Sequence, residues 1–162
     1  MQEKLTLLNK YLKSTSVEDF DTIPNSVVFW VDWREEDDAV VAYCEKRLQT
    51  GQLSATMEDK PDGLELQITF QGTTHRDIVV DRDRTIIFLN SIIQPNYEIR
   101  FCKASEGSDT LAFLPLTATE WQQLEAQYGA DVINSCFESI NTASEMFNKS
   151  YDFEMEDDQD ID

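Results

Sequence analysis

The sequence predicts an α+β fold: a mainly antiparallel sheet with helices packed on one or both faces. Three observations carry this. The run Val27-Val28-Phe29-Trp30-Val31 is apolar without interruption and rich in β-branched and aromatic residues, which suits a strand covered on both faces. Residues 53–80 alternate apolar with polar between turn signals, the pattern of a meander with one polar face. Helical periodicity occurs before, between and after these strands without the strict strand-helix alternation of a parallel sheet.

Element by element, Leu5, Leu8, Tyr11 and Leu12 stripe an amphipathic helix that ends near Ser14. Ser16 and Asp19 have capping-box spacing, and Pro24 closes the short helical turn they open. The strand 27–31 follows and is expected in the middle of the sheet. From 32 to 49 the period becomes helical, with Val40, Val41, Cys44 and Leu48 on one face and Gly51 as the C-cap. Leu53, Ala55 and Met57, then Leu64, Leu66, Ile68 and Phe70, form the first hairpin of the meander 53–80 across Asp59-Lys60-Pro61-Asp62-Gly63. Gln71-Gly72 turns into a third strand that runs to Val80.

Residues 84–94 are apolar nearly all round, which predicts a buried helix stopped by Pro95. A second hairpin spans 97–114, with its turn at 105–109. Thr117 and Glu120 form a capping box for a helix striped by Trp121, Leu124 and Tyr128. Gly129 separates it from a last helix carrying Val132, Ile133, Cys136, Phe137 and Ile140. Residues 1–150 read as one domain, and 151–162 as an acidic, solvated tail with seven acids and no base.

Charge is the strongest compositional signal: 32 Asp and Glu against 13 Lys and Arg give a formal charge of −19 over 162 residues. Such self-repulsion opposes compaction and points to solubility or to steering of a basic partner. It argues against binding nucleic acid or an anionic membrane, because those contacts are built from Lys and Arg. Cys44, Cys102 and Cys136 are odd in number, far apart and without a CxxC pair, so they read as small buried hydrophobes in a reducing compartment. The first residues lack the apolar core of a signal peptide, and no stretch approaches the roughly 20 apolar residues of a membrane helix. A cytoplasmic location is expected.

Catalytic motifs are sparse. No phosphate-binding glycine loop, nucleophile elbow or HExxH pattern occurs, and no cofactor is expected. His75, the one histidine, lies in an alternating strand, where a structural role is expected. Asp81 and Asp83, beyond an apolar strand, have the spacing to hold a hard cation such as Mg²⁺ for a phosphohydrolase or nuclease. The competing assignment makes this a strand-to-helix corner in which Asp83 caps the helix. Asp32 sits where α/β enzymes place a catalytic acid, and equally where a helix begins.

In Arg34-Glu35-Glu36-Asp37-Asp38, acids in a first helical turn complement the helix dipole by about 0.3–1 kcal/mol each. Two or three would satisfy that need. Four in a row repel one another, and the excess points to binding.

Phe29-Trp30-Val31-Asp32-Trp33 running into 34–38, and Tyr97-Glu98-Ile99-Arg100-Phe101-Cys102 followed by 108–116, resemble the small acidic immunity proteins that bacteria make against polymorphic and contact-dependent-inhibition toxins. The resemblance is one of overall character across 25–140, without a shared catalytic motif. It implies a non-enzymatic cytosolic inhibitor that binds a cognate toxin domain, often a basic nuclease. An acidic surface facing a basic cleft accelerates association, while desolvated aromatic anchors supply affinity. Trp33 beside Glu35, Glu36, Asp37 and Asp38 offers that combination, and Glu106 and Asp109 extend it. The chain is expected as a monomer or homodimer. Two alternatives stand beside this reading: a divalent-metal hydrolase using Asp81 and Asp83, and an acidic adaptor or nucleic-acid mimic acting through its tail.

Overall fold

The computed structural model describes residues 2–32, 34–106 and 110–147. In chain order these form α1 (Gln2–Ser14), α2 (Val17–Phe20), β1 (Phe29–Asp32), α3 (Asp37–Leu48), β2 (Leu53–Lys60), β3 (Gly63–Phe70) and β4 (Thr73–Ile78). Then come α4 (Arg82–Ile93), β5 (Tyr97–Cys102), β6 (Thr110–Thr117), α5 (Ala118–Tyr128), α6 (Ala130–Cys136) and β7 (Phe137–Ser139). Two antiparallel sheets result, one ordered β1-β6-β5-β7 and the other β2-β3-β4. The α+β class is as expected, with the meander forming a sheet of its own.

Side-chain alternation divides the interior into two apolar layers. On one face of the larger sheet, Phe29 and Val31 of β1, Leu111 and Phe113 of β6, and Ile99 and Phe101 of β5 pack with Val40, Val41 and Cys44 of α3 and Ile86, Leu89 and Ile93 of α4. Leu66, Ile68 and Phe70 of the smaller sheet close this layer, so α3 and α4 touch both sheets. On the opposite face, Ala112, Leu114 and Leu116 meet Leu8, Leu12, Trp121, Leu124 and Ile133 from α1, α5 and α6. Burying each such Leu, Ile or Phe side chain contributes about 1.5–3 kcal/mol.

The run 27–31 is covered on both faces as expected, since Phe29 and Val31 face one layer and Val27 and Val28 the other. Its place differs: β1 is an edge strand, and β6 takes the centre beside it. Apolar content on both faces reports what covers a strand, not how many strands pair with it. Pro115 is compatible with this central strand because the β1 ladder ends at the Phe29–Phe113 pair, leaving Pro115 beyond it.

The last helix also ends earlier than its apolar spacing suggests. Phe137 adopts φ −131° and ψ 107°, and β7 pairs with Arg100–Cys102 at the open edge of β5. Where β7 does not reach, buried Asn90 on α4 substitutes for a strand: its Oδ1 accepts from the Ile99 N–H at 2.8 Å. The helix expected over 32–49 begins at Asp37, because the Asp32 carboxylate and carbonyl hold 34–35 in a turn. Its C-cap is Gln49, at φ 56°, rather than Gly51. The capping box at Thr117–Glu120 is present in full, whereas at Ser16 only half of it forms: Ser16 accepts from the Asp19 N–H, and the Asp19 carboxylate accepts from Ser14 instead of returning to the Ser16 N–H. The acidic tail 151–162 lies outside the described residues.

Candidate functional site

The acidic segment between β1 and α3 separates, in three dimensions, into acids the fold uses and acids it leaves facing out. Asp32 accepts from the Arg34 N–H at 2.9 Å and from its Nε and Nη2 at 3.3 and 3.1 Å. The Arg34 guanidinium and N–H together hold the Asp32 carboxyl below the usual carboxylate range. Glu35 accepts from the Tyr43 hydroxyl at 2.9 Å, which raises that phenol above its ordinary value.

Asp37 is the most committed of the four predicted acids. It accepts from Arg82 Nη1 and from Thr85 Oγ1, the latter at 2.6 Å, while Arg82 Nη2 donates to the Glu35 carbonyl. The Asp37 and Arg82 side chains are 15% and 11% exposed, so this clasp between the first turns of α3 and α4 is shielded from water. Glu36 occupies the N-cap without a side-chain capping bond and is exposed; Asp38 is half-buried. Trp33 lies outside the described residues.

Of the second predicted pair, Glu106 and Asp109, only Glu106 lies among the described residues. Asp32 pairs with Thr110, so the end of β1 and the start of β6 are neighbours. Glu106 is half-buried, and its N–H donates to the Lys103 carbonyl at 3.0 Å, closing a 3₁₀ turn over Lys103–Ser105. Asp109 falls outside the described residues.

Asp81 and Asp83 do not converge. Asp81 is the N-cap of α4, accepting from the Arg84 N–H at 2.8 Å, whereas Asp83 is buried and accepts from the Met146 and Phe147 N–H groups at 3.0 and 2.7 Å. The capping role expected of Asp83 thus belongs to Asp81. Asp83 instead fastens the segment that follows β7 onto the core. Among the described residues no group of three or more His, Cys, Asp or Glu side chains is arranged to hold a metal ion. His75 stands half-buried on β4, opposite Ile68.

Two clefts border α3. One, of about 480 Å³, is lined by Lys4, Arg47 and Glu120 among others. Its polar groups serve the fold: Lys4 Nζ donates to the Arg47 carbonyl at 2.9 Å, Arg47 donates to the Val28 and Tyr43 carbonyls, and Glu120 accepts from the Thr117 N–H. The other, of about 440 Å³, runs between α3 and β2 and has Ala39, Ala42, Leu53 and Ala55 along it.

The bases explain where part of the acid goes. Lys10, Arg34, Lys60, Arg76, Arg82, Arg84 and Arg100 each sit against a carboxylate within the chain. Arg100 is 7% exposed, reaches Glu98 and Glu125, and lies 4.2 Å over the Trp121 ring. Among the described residues, seven of the chain's 13 Lys and Arg are paired in this way, and acids remain in excess outward, among them Glu18, Asp21, Glu36, Asp59, Asp62, Asp131 and Glu138, all exposed. Arg82 and Arg84 alternate with Asp81 and Asp83 in the sequence, which suggests that they neutralise these neighbours; instead they pair with Asp37 and Asp77. No family model matches this chain, and neither a curated protein nor a solved structure matches it.

Proposed function

We propose that the protein is a stoichiometric inhibitor of the immunity type, which binds a basic toxin domain and occludes the surface that domain needs. The observation that carries this reading is the division of charge: among the described residues, seven of the 13 Lys and Arg pair with acids within the chain, while a formal charge of −19 leaves carboxylates outward. Water-facing acids without cations generate a field that draws a basic surface in, and association steered in this way reaches about 10⁸–10⁹ M⁻¹s⁻¹ at low salt. A nuclease, whose cleft must attract phosphate, is the favoured target class.

The docking end would be the end of the larger sheet marked by the Asp32–Thr110 pair, with Glu36 and Asp38 as steering acids. Asp37 has a structural duty instead. A metal-dependent hydrolase has less support, because Asp81 and Asp83 are spent on a helix cap and on backbone amides. The three free thiols, all buried, suit a reducing cytoplasm. No helix among the described residues is long and apolar enough to cross a membrane.

Affinity capture from source cells tests the reading. The expected result is one basic protein retained through a high-salt wash at equal stoichiometry, with association slowed in a Glu36→Gln/Asp38→Asn variant and its salt dependence reduced. Capture of nothing, or of many basic proteins that all leave in high salt, would remove the inhibitor reading.

A further inference from the structure

The smaller sheet presents a free strand edge beside a helix that is built small. Two hydrogen bonds fix which backbone groups face that edge. The Gln71 N–H donates to the Gln52 carbonyl and the Val79 N–H to the Leu64 carbonyl, both at 3.2 Å. Bonding direction alternates along an antiparallel strand, so odd-numbered residues of β3 bond to β2 and even-numbered ones to β4. The pairs Ser54–Thr69, Thr56–Gln67 and Glu58–Glu65 therefore carry the β2–β3 ladder. The N–H and C=O groups of Leu53, Ala55 and Met57 point away from β3, and no described residue pairs with them.

α3 flanks this edge. Asp38, Ala39, Ala42 and Lys46 form one wall of the 440 Å³ groove and Leu53 and Ala55 the other. Ala39 and Ala42 leave room where longer side chains would cover the strand. Unpaired edges are ordinarily blunted by proline, charge or cover. Over Leu53–Met57 this one carries neither proline nor a charged residue, and Ser54 and Thr56 are exposed.

We propose that this groove takes an extended, basic segment of a partner protein as a fourth strand on β2. This rests on the inhibitor reading for the partner's charge, and its geometry stands apart from it. An added strand alternates its side chains. One set would enter between β2 and Ala39 and Ala42, where small apolar groups fit. The other would lie on the outer face of the sheet, beyond the Ser54, Thr56 and Glu58 row. Glu58 there is paired with Lys60, and the acids along the groove are Asp38 and Glu45, so the preference for Lys or Arg comes from these two and from the net charge of the chain. A second copy of this chain is the poorer occupant, because it carries the same net charge and would set Glu58 and Asp59 of both copies along one edge. Main-chain bonds supply affinity in such strand addition, and alternate side chains supply specificity.

The test uses the full ¹⁵N-labelled chain and an acetylated, amidated peptide of four Lys-Val repeats. Saturable amide shifts at residues 53–57 and at Ala39 and Ala42 are expected. Affinity should fall at least tenfold for a peptide N-methylated at alternate residues on its pairing edge, and at least tenfold for Ala42→Arg, which fills the groove from an exposed helix position. The N-methyl control needs no protein variant, so a misfolded Ala42→Arg would not shelter the idea. Shifts confined to other surfaces, equal binding of the N-methylated peptide, or equal binding of a Glu-Val analogue would overturn it. Concentration-dependent shifts at the same amides without peptide would also overturn it by assigning the groove to a second copy. Retention of a basic toxin by Ala42→Arg with unchanged affinity would discard the groove and keep the inhibitor reading; peptide binding without any captured basic protein would do the reverse.

Discussion

Arg82, in the first turn of α4, donates to the carboxylate of Asp37, in the first turn of α3, 45 residues earlier in the chain. Thr85 one turn later donates to the same oxygen, and Arg82 also reaches the Glu35 carbonyl. This clasp joins the first turns of the two helices that touch both sheets, where it is shielded from water. It also separates two kinds of acid in one short run.

Asp37→Ala should therefore destabilise the chain by about 2–3 kcal/mol, in the range for hydrogen bonds to charged groups, because Arg82 is left shielded without its carboxylate. Glu36→Gln, one residue away, should change stability by no more than about 0.5 kcal/mol, as expected of an exposed site. Urea unfolding of the two variants checks this. Equal effects would mean that the clasp contributes nothing beyond surface charge.

Asp83 performs the corresponding task for the segment after β7. Its carboxylate takes two backbone N–H groups, from Met146 and Phe147, and Phe147 stacks on Phe113 with ring centres 6.1 Å apart. Asp83→Ala should cost about 1.5–3 kcal/mol and strip hydrogen-exchange protection from the Met146 and Phe147 amides before the sheets open. Retained protection at those two amides would show that Phe147 packing alone holds the segment.

Local signals made most of the elements legible. Caps at Ser16 and Thr117, the turn at 61–62 and the alternation through β2 and β3 each rest on a few neighbouring residues, and all stand in the fold. What escaped depends on partners distant in sequence. The edge position of β1 follows from β6 pairing with it on one side only, and β7 exists because β5 has an open edge. Asp81 and Asp83 share one spacing, yet one caps a helix and the other binds residues 63 and 64 positions later. The candidate site divides the same way. An excess of acid at 35–38 was visible, whereas the assignment of Asp37 to Arg82 required the packing of α3 against α4.

The thiols should be silent. Cys44 and Cys102 are fully buried, and burial pushes both well above the ordinary thiol value, so neither supplies a thiolate near neutral pH. A disulfide reagent should label none of the three cysteines in the native chain and all of them in denaturant. Labelling of the native chain faster than its unfolding would reveal a local opening near Cys136, the least enclosed, at 4% exposure.

Asp32 makes a pH-dependent contribution whose sign is set by its lowered pKa. A carboxylate stabilised in the folded chain adds stability above its unfolded value, ordinarily 3.8, and loses it as pH falls through the lower folded value. Carboxyl NMR titration should place the Asp32 midpoint below 3.8 and return it towards that value in Arg34→Ala. A midpoint unmoved by Arg34→Ala would assign the shift to another neighbour.

Salt should stabilise this protein, although it weakens the pairs described above. Exposed ion pairs such as Arg34–Asp32 and Arg84–Asp77 contribute about 0–1 kcal/mol each and are readily screened. The shielded Arg82–Asp37 clasp is screened less, so little attraction is lost. Repulsion among the outward acids extends over many pairs at longer range, and it is what screening removes first as the Debye length shrinks from about 30 Å at 0.01 M to about 8 Å at 0.15 M ionic strength. The melting temperature should therefore rise with NaCl across that interval, and more for the wild type than for Glu36→Gln/Asp38→Asn. A fall would show that ion-pair attraction outweighs the repulsion implied by the net charge, and with it the premise that outward acid is the dominant feature of this surface.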